Sequence, residues 1–232
     1  MSVIHRTTMA PTKLELVTAW LPGRPWYRGS GTPRLERAGG FRLDDPAGEV
    51  GIEFAVFEDA DGTVYHQPMT YRAAPSEGAE EALIGTSEHG VLGTRWVYDA
   101  TRDPVAVEQI VALLAGRAVP QAQSLSDTPD PSVVASYGGP LPGGVHGRAS
   151  AQDGDGWTDV LLDGVTLRVL RVLEGLAADG TAAGGRSTEG GAAGGVAGNA
   201  DGDAHGASAG VVAGWTGGGE PRRGVFVRVL PA

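Results

Sequence analysis

The 232-residue sequence contains no cysteine. That excludes disulfide staples, thiolate catalysis and cysteine-type zinc sites together. Lysine is almost missing too: Lys13 stands alone, and every other strong base is an arginine. No lysine is left in the body of the chain for a Schiff base or a phosphate-gripping P-loop. Long apolar runs are absent, and none approaches the roughly 20 residues that span a bilayer. The opening stretch, MSVIHRTTMAPTKLELVTAW, has no apolar h-region and no small-residue cleavage site. It does not read as a secretory signal, so the expected location is the cytoplasm. Positive charge is scarce, with 18 Lys+Arg against 28 Asp+Glu and a net charge of −10. Such a chain does not attach to phosphate backbones or anionic lipid by bulk electrostatics, which argues against nucleic acid and membrane partners.

What the chain has in excess is glycine, 38 residues alongside 15 prolines, and the excess crowds into the last hundred positions. Residues 1–135 have the composition of a folded α+β unit, and residues 136–156 form a Gly/Pro-rich linker. Residues 157–232 are β-rich, with a Gly/Ala-rich insert at 177–208 that has too few large apolar groups to offset its ordering entropy and is expected to be disordered. The expected fold class is α+β: a curved antiparallel sheet packed with two or more helices, followed by a small β-rich C-terminal part.

Local signals support that expectation. Thr12-Lys13-Leu14-Glu15 has the capping-box form, and Leu14, Val17 and Leu21 follow at helical spacing, so Lys13 to Leu21 reads as a helix. Arg34 to Leu43, Val50 to Glu58 and Thr63 to Ala73 read as strands, the last two joined at Asp61-Gly62. Pro68 inside the third run predicts an edge strand or a bulge. The stretch Glu80 to Pro104 is the densest in turn glycines and bulky residues. It predicts a helical turn at Gly78 to Leu83 and a strand at Thr94 to Asp99, with Trp96 and Tyr98 facing the core. Asp103 is placed to cap a helix that starts at Pro104 and closes at Gly116. Gly138 to Gly156 reads as a loop. Asp163-Gly164 predicts a hairpin, and Val211 to Thr216 with Gly224 to Leu230 a final strand pair.

No catalytic constellation accompanies these elements. His66, Glu88, His89 and Asp99 lack the spacing that brings ligands to one face, so no metal site is read. No G-x-S-x-G, Walker or dinucleotide fingerprint occurs, and Glu80-Glu81 reads as a solvated face. No cofactor is implied. The candidate ligand or partner surface is Arg24, Trp26, Tyr27 and Arg28, where aromatic faces are flanked by guanidinium groups. Two readings of it stand: a stacking platform, or aromatic plugs that pin the loop to the sheet.

Three stretches carry a family resemblance. LPGRPWYRG at Leu21 to Gly29, YRAAPSEGAEEALIGTSEHGVLGTRWVYDATRDP at Tyr71 to Pro104, and the helix after it resemble the N-terminal cap domain of actinobacterial maltokinases over roughly residues 1–135. The resemblance implies an α+β cap beside the N-lobe of an aminoglycoside-phosphotransferase-like kinase that phosphorylates maltose with ATP, on a route from trehalose to glycogen-like glucan. Residues 157–174, WTDVLLDGVTLRVLRVLE, weakly resemble the first strands of that N-lobe. Where the kinase carries its nucleotide-gripping lysine, this chain has Arg168, and arginine is no conservative substitute there. The string Gly202-Asp203-Ala204-His205-Gly206 echoes a kinase catalytic loop but lacks the metal-binding motif that should follow. The expected function is therefore a non-catalytic cap-like binding or regulatory module of maltose, trehalose and α-glucan metabolism, partnered by a kinase, an α-glucan enzyme or a sugar. The alternative is a divergent sugar kinase, and only with it do ATP and magnesium enter.

Overall fold

A computed structural model describes residues 8–125, 127–144, 150–176 and 209–231. The expected disordered insert at 177–208 and the 202–206 string lie outside the described residues. In chain order the elements are β1 (Met9–Ala10), α1 (Lys13–Trp20), β2 (Leu35–Asp44), β3 (Gly51–Asp59), β4 (Val64–Arg72), β5 (Leu83–His89), β6 (Gly93–Asp99), α2 (Pro104–Leu114), β7 (Gln121–Ala122), β8 (Val134–Ser136), β9 (Ser150–Asp153), β10 (Trp157–Leu162), β11 (Val165–Leu170), β12 (Gly210–Gly217) and β13 (Glu220–Pro231).

The α+β expectation is overturned. One 13-stranded sheet runs in the order β1-β5-β6-β4-β3-β2-β12-β13-β11-β10-β9, with β7 on β2 and β8 on β12. Its pairings are antiparallel throughout the described residues. Among the described residues only two short α-helices pack on it. The difference arises from segments whose sequence reads as turn or loop. The 80–89 stretch is a 3-10 turn at Glu80–Ala82 followed by β5, and the 138–156 stretch contains β9. Short strands without strong alternation form because a partner strand satisfies their backbone groups, and that partner lies far away in sequence.

The C-terminal strands continue the same sheet. β12 meets β2 at Trp215 opposite Gly39. Tyr65 of β4 bridges Val172, just beyond β11, so β4, β3, β2, β12, β13 and β11 close a ring. The core between the ring walls draws Phe41, Phe54, Val160, Leu167, Phe226 and the apolar side of α2 into one cluster. Phe41 and Phe54 stack there at 4.5 Å. On the opposite face of β3 and β4, α1 packs Leu16 and Val17 over Ala55, Phe57, Tyr65 and Met69.

The caps form as the sequence specifies. Thr12 Oγ1 accepts from the Glu15 amide at 3.2 Å and Glu15 accepts from the Thr12 amide at 2.7 Å. Asp103 accepts from the Val105 amide at 3.0 Å, and Arg72 clamps the same carboxylate at 2.7 and 2.8 Å. In β6 it is Val97 and Tyr98 that are buried, while Trp96 is half-buried.

Two backbone positions shape the ring. β2 is bulged between Arg37 and Gly39, and Gly40 has φ +128°. A Cβ on Gly40 would collide with the Phe54 carbonyl. Gly40→Ala is therefore expected to cost about 1–3 kcal/mol, read as a lower urea midpoint; an unchanged midpoint would contradict the bulge. Pro68 sits inside an interior strand, against the edge expectation. The far side of β4 is shared: Val64 to His66 face the segment after β11, and Met69 to Arg72 face β6. Pro68 occupies the gap between these partners, where no ladder donor is required.

Candidate functional site

The gap beside Pro68 holds a fully buried charged side chain. Arg171 is 0% exposed. A charge so placed must be paired and hydrogen-bonded to persist. Its guanidinium donates to Asp99 Oδ2 at 2.5 Å, to Thr101 Oγ1 at 3.0 Å, to Thr158 Oγ1 at 2.8 Å and to Gln67 Oε1 at 3.3 Å. It also lies 4.5 Å from the centre of the Trp26 ring. Burial pushes the Asp99 carboxyl up, but the Arg171 guanidinium and the Thr101 donors outweigh it and hold the group below its ordinary value. Asp99 in addition caps the turn Ala100–Arg102 through the Thr101 amide. Arg171 thus joins the segment after β11 to the end of β6 and to the loop after α1.

That loop carries the sequence-predicted surface, and the structure separates its members. Trp26 is 1% exposed, packed against Trp20 at 5.9 Å and beneath Arg171. It offers no ring face to solvent. Tyr27 is half-buried near Tyr65, its hydroxyl donating to the Gly31 carbonyl at 2.6 Å. Arg24 lies over the Trp20 ring at 4.4 Å. Arg28 pairs with Asp155 in the β9–β10 turn, and its amide donates to Tyr65 Oη at 3.0 Å. Two shallow clefts flank the loop. One of about 420 Å³ is lined by Leu14, Glu15, Thr18, Ala19, Pro22 and Thr32, and one of about 350 Å³ by Pro22, Tyr27 and Gly29 to Thr32.

A second charged cluster lies on the outer face of β3. Glu53 is buried and accepts from Lys13 Nζ at 2.5 Å, Tyr71 Oη at 2.7 Å and Gln123 Nε2 at 2.7 Å, with Arg37 at 3.6 Å. Burial pushes its carboxyl up, and Lys13, Tyr71 and Arg37 more than reverse this. Burial, then Glu53, raises the Tyr71 phenol well above its usual range. The single lysine thus ties α1 to the sheet.

His66 points into the ring. Its Nδ1 lies 2.8 Å from the Leu170 carbonyl and therefore carries the proton, while Nε2 is buried without a partner among the described residues. Phe226 and Phe54 flank the imidazole at 4.5 and 6.0 Å. Glu88 instead accepts from Thr94, and His89 Nδ1 accepts from the Leu92 amide at 3.1 Å. Among the described residues no group of three or more His, Asp or Glu side chains is placed to hold a metal ion. Arg168 makes a bidentate pair with Asp159 at 2.7 and 2.8 Å and stacks 4.6 Å from the Trp157 ring.

Arg171, Asp99 and Glu53 were not legible as a site, although each left a trace. Arg171 falls in phase with the inward positions Val165, Leu167 and Val169, and Glu53 interrupts the apolar run from Ile52 to Phe57. Among the described residues no helix is long and apolar enough to cross a membrane. A search of curated proteins finds no match. The family match is narrower than residues 1–135: residues 20–103, from the end of α1 to the Asp103 cap, match the model of the maltokinase N-terminal cap domain.

Proposed function

We propose that the protein is a non-catalytic cap-like module of α-glucan metabolism, acting where maltose and trehalose feed glycogen-like glucan, and that it binds or regulates a kinase or α-glucan enzyme of that route. The match of residues 20–103 to the maltokinase cap carries the reading. Two features support it further. The segment that resembles the start of a kinase N-lobe is spent on closing the cap's own sheet, through Val172 against Tyr65 and through the pairing of β11 with β13. Arg168, at the nucleotide-lysine position of that resemblance, has its guanidinium taken up by Asp159 and Trp157. A cation held in a bidentate pair is not free to grip a phosphate.

The test is phosphotransfer. The purified chain is incubated with ATP, magnesium and maltose, glucose or glucosamine, and sugar phosphate is measured. No turnover above a blank is expected. A maltokinase assayed with and without the chain is expected to change in rate. Turnover that Arg168→Ala abolishes would establish the kinase alternative and end this reading.

A further inference from the structure

The walls of β10, β11 and β13 alternate as a sheet with one face in water must. Val160, Val165, Leu167, Val169 and Val227 point inward and are buried. The solvated face of such a sheet is ordinarily polar. Here the outward row Leu161–Thr166–Leu230 crosses all three strands, and Leu161 is 39% exposed. Next to it runs the row Asp159–Arg168–Arg228. Trp157 lies beyond, under the Arg168 guanidinium. Asp159 is engaged on both oxygens by Arg168. Arg228, directly opposite Arg168 in the ladder, is exposed, and its side chain has no hydrogen bond or ion pair among the described residues. Like charges opposite one another on a sheet repel. Among the described residues this row thus carries a positive charge without a counter-ion, beside the row that holds Leu161 and Leu230, on a chain of net charge −10.

We propose that this face is a docking surface for a partner protein segment that presents a carboxylate among apolar side chains. The carboxylate takes the bidentate geometry that arginine offers and removes the repulsion from Arg168. The apolar groups cover Leu161 and Leu230, with Trp157 at the margin; tryptophan and arginine are the residue types that anchor interfaces. The negative charge elsewhere does not prevent this, because fields beyond about 8 Å are screened at physiological salt. A second copy is the poorer occupant, since the carboxylate it would bring on this face, Asp159, is already engaged on both oxygens by its own Arg168 and leaves Arg228 no free counter-charge. The purpose of the surface rests on the docking-module reading above, but its geometry does not.

The test uses the full chain and a fluorescein-labelled peptide of alternating glutamate and leucine, with a glutamine-for-glutamate peptide as control, followed by fluorescence anisotropy. The glutamate peptide is expected to bind saturably and to weaken with salt. Arg228→Glu is expected to weaken it about tenfold or more with an unchanged unfolding midpoint, and Leu161→Ser to weaken it as well. Equal binding of the two peptides, no binding, or indifference to Arg228→Glu overturns the proposal. So does a dimer in sedimentation that Arg228→Glu dissociates, which would give the face to a second copy. Sugar phosphorylation in the earlier assay would end the module reading and leave the peptide result intact.

Discussion

Arg171→Met is expected to lower stability by about 3–5 kcal/mol, and Asp99→Asn by a comparable amount, measured as urea unfolding. Each substitution leaves one member of a fully buried ion pair without its counter-charge. Removing one partner is worse than removing both, because the survivor keeps its desolvation cost. The double variant Arg171→Met/Asp99→Leu is therefore expected to lose less than the sum of the single changes. Recovery is incomplete, since Asp99 also caps the Thr101 amide at 3.1 Å. A loss below about 1 kcal/mol for Arg171→Met, the range of an exposed pair, would contradict the buried network. The expected loss exceeds that of Gly40→Ala because it removes the contact that holds β6, β10 and the Trp26 loop to the segment after β11.

Acid is expected to unfold the protein from a higher pH than its carboxylates alone would set. Burial lowers the His66 pKa from 6.5 to about 3. Below pH 6.5 the unfolded chain takes up a proton that the folded chain refuses. The contribution to stability is complete above that pH and is lost as pH falls toward 3, reaching about 5 kcal/mol at the low end. Asp99 and Glu53, held below their ordinary values, add a second loss as pH falls through the carboxylate range. His66→Phe separates the two. A phenyl ring suits the place between Phe54 and Phe226, though it forfeits the bond to the Leu170 carbonyl, worth about 1 kcal/mol. The native protein is expected to lose thermal stability between pH 7.5 and pH 5, and the variant to lose far less over that interval. Identical pH dependence would show that His66 is not sealed in the ring.

The parts of the fold that local chemistry decides were legible. Thr12 with Glu15, Asp103 with Pro104 and the Asp61-Gly62 turn declare themselves within four residues, and the structure has each of them. The class was not legible. Alternation in 165–170 and 211–216 announces strands, but not that they complete the sheet begun at β2. That outcome depends on close approaches such as Gly39 against Trp215, between residues far apart in the chain. The sequence likewise marks Trp26 as an aromatic in a loop without indicating which arginine covers it. Arg171 carries that answer from far along the chain, and only its phase within an apolar strand hints at burial.

The segment after β11 pairs with β4 and so joins the two ends of the ring into one sheet. Hydrogen exchange at two amides tests it most directly. The His66 amide donates to the Arg171 carbonyl at 2.9 Å, and the Leu173 amide donates to the Val64 carbonyl at 2.9 Å. Both are expected to exchange only through global unfolding, at the same free energy as the interior amides of β3. Leu173 exchanging several kcal/mol more readily than β3 would mean that the seam opens on its own, and would contradict the closed ring.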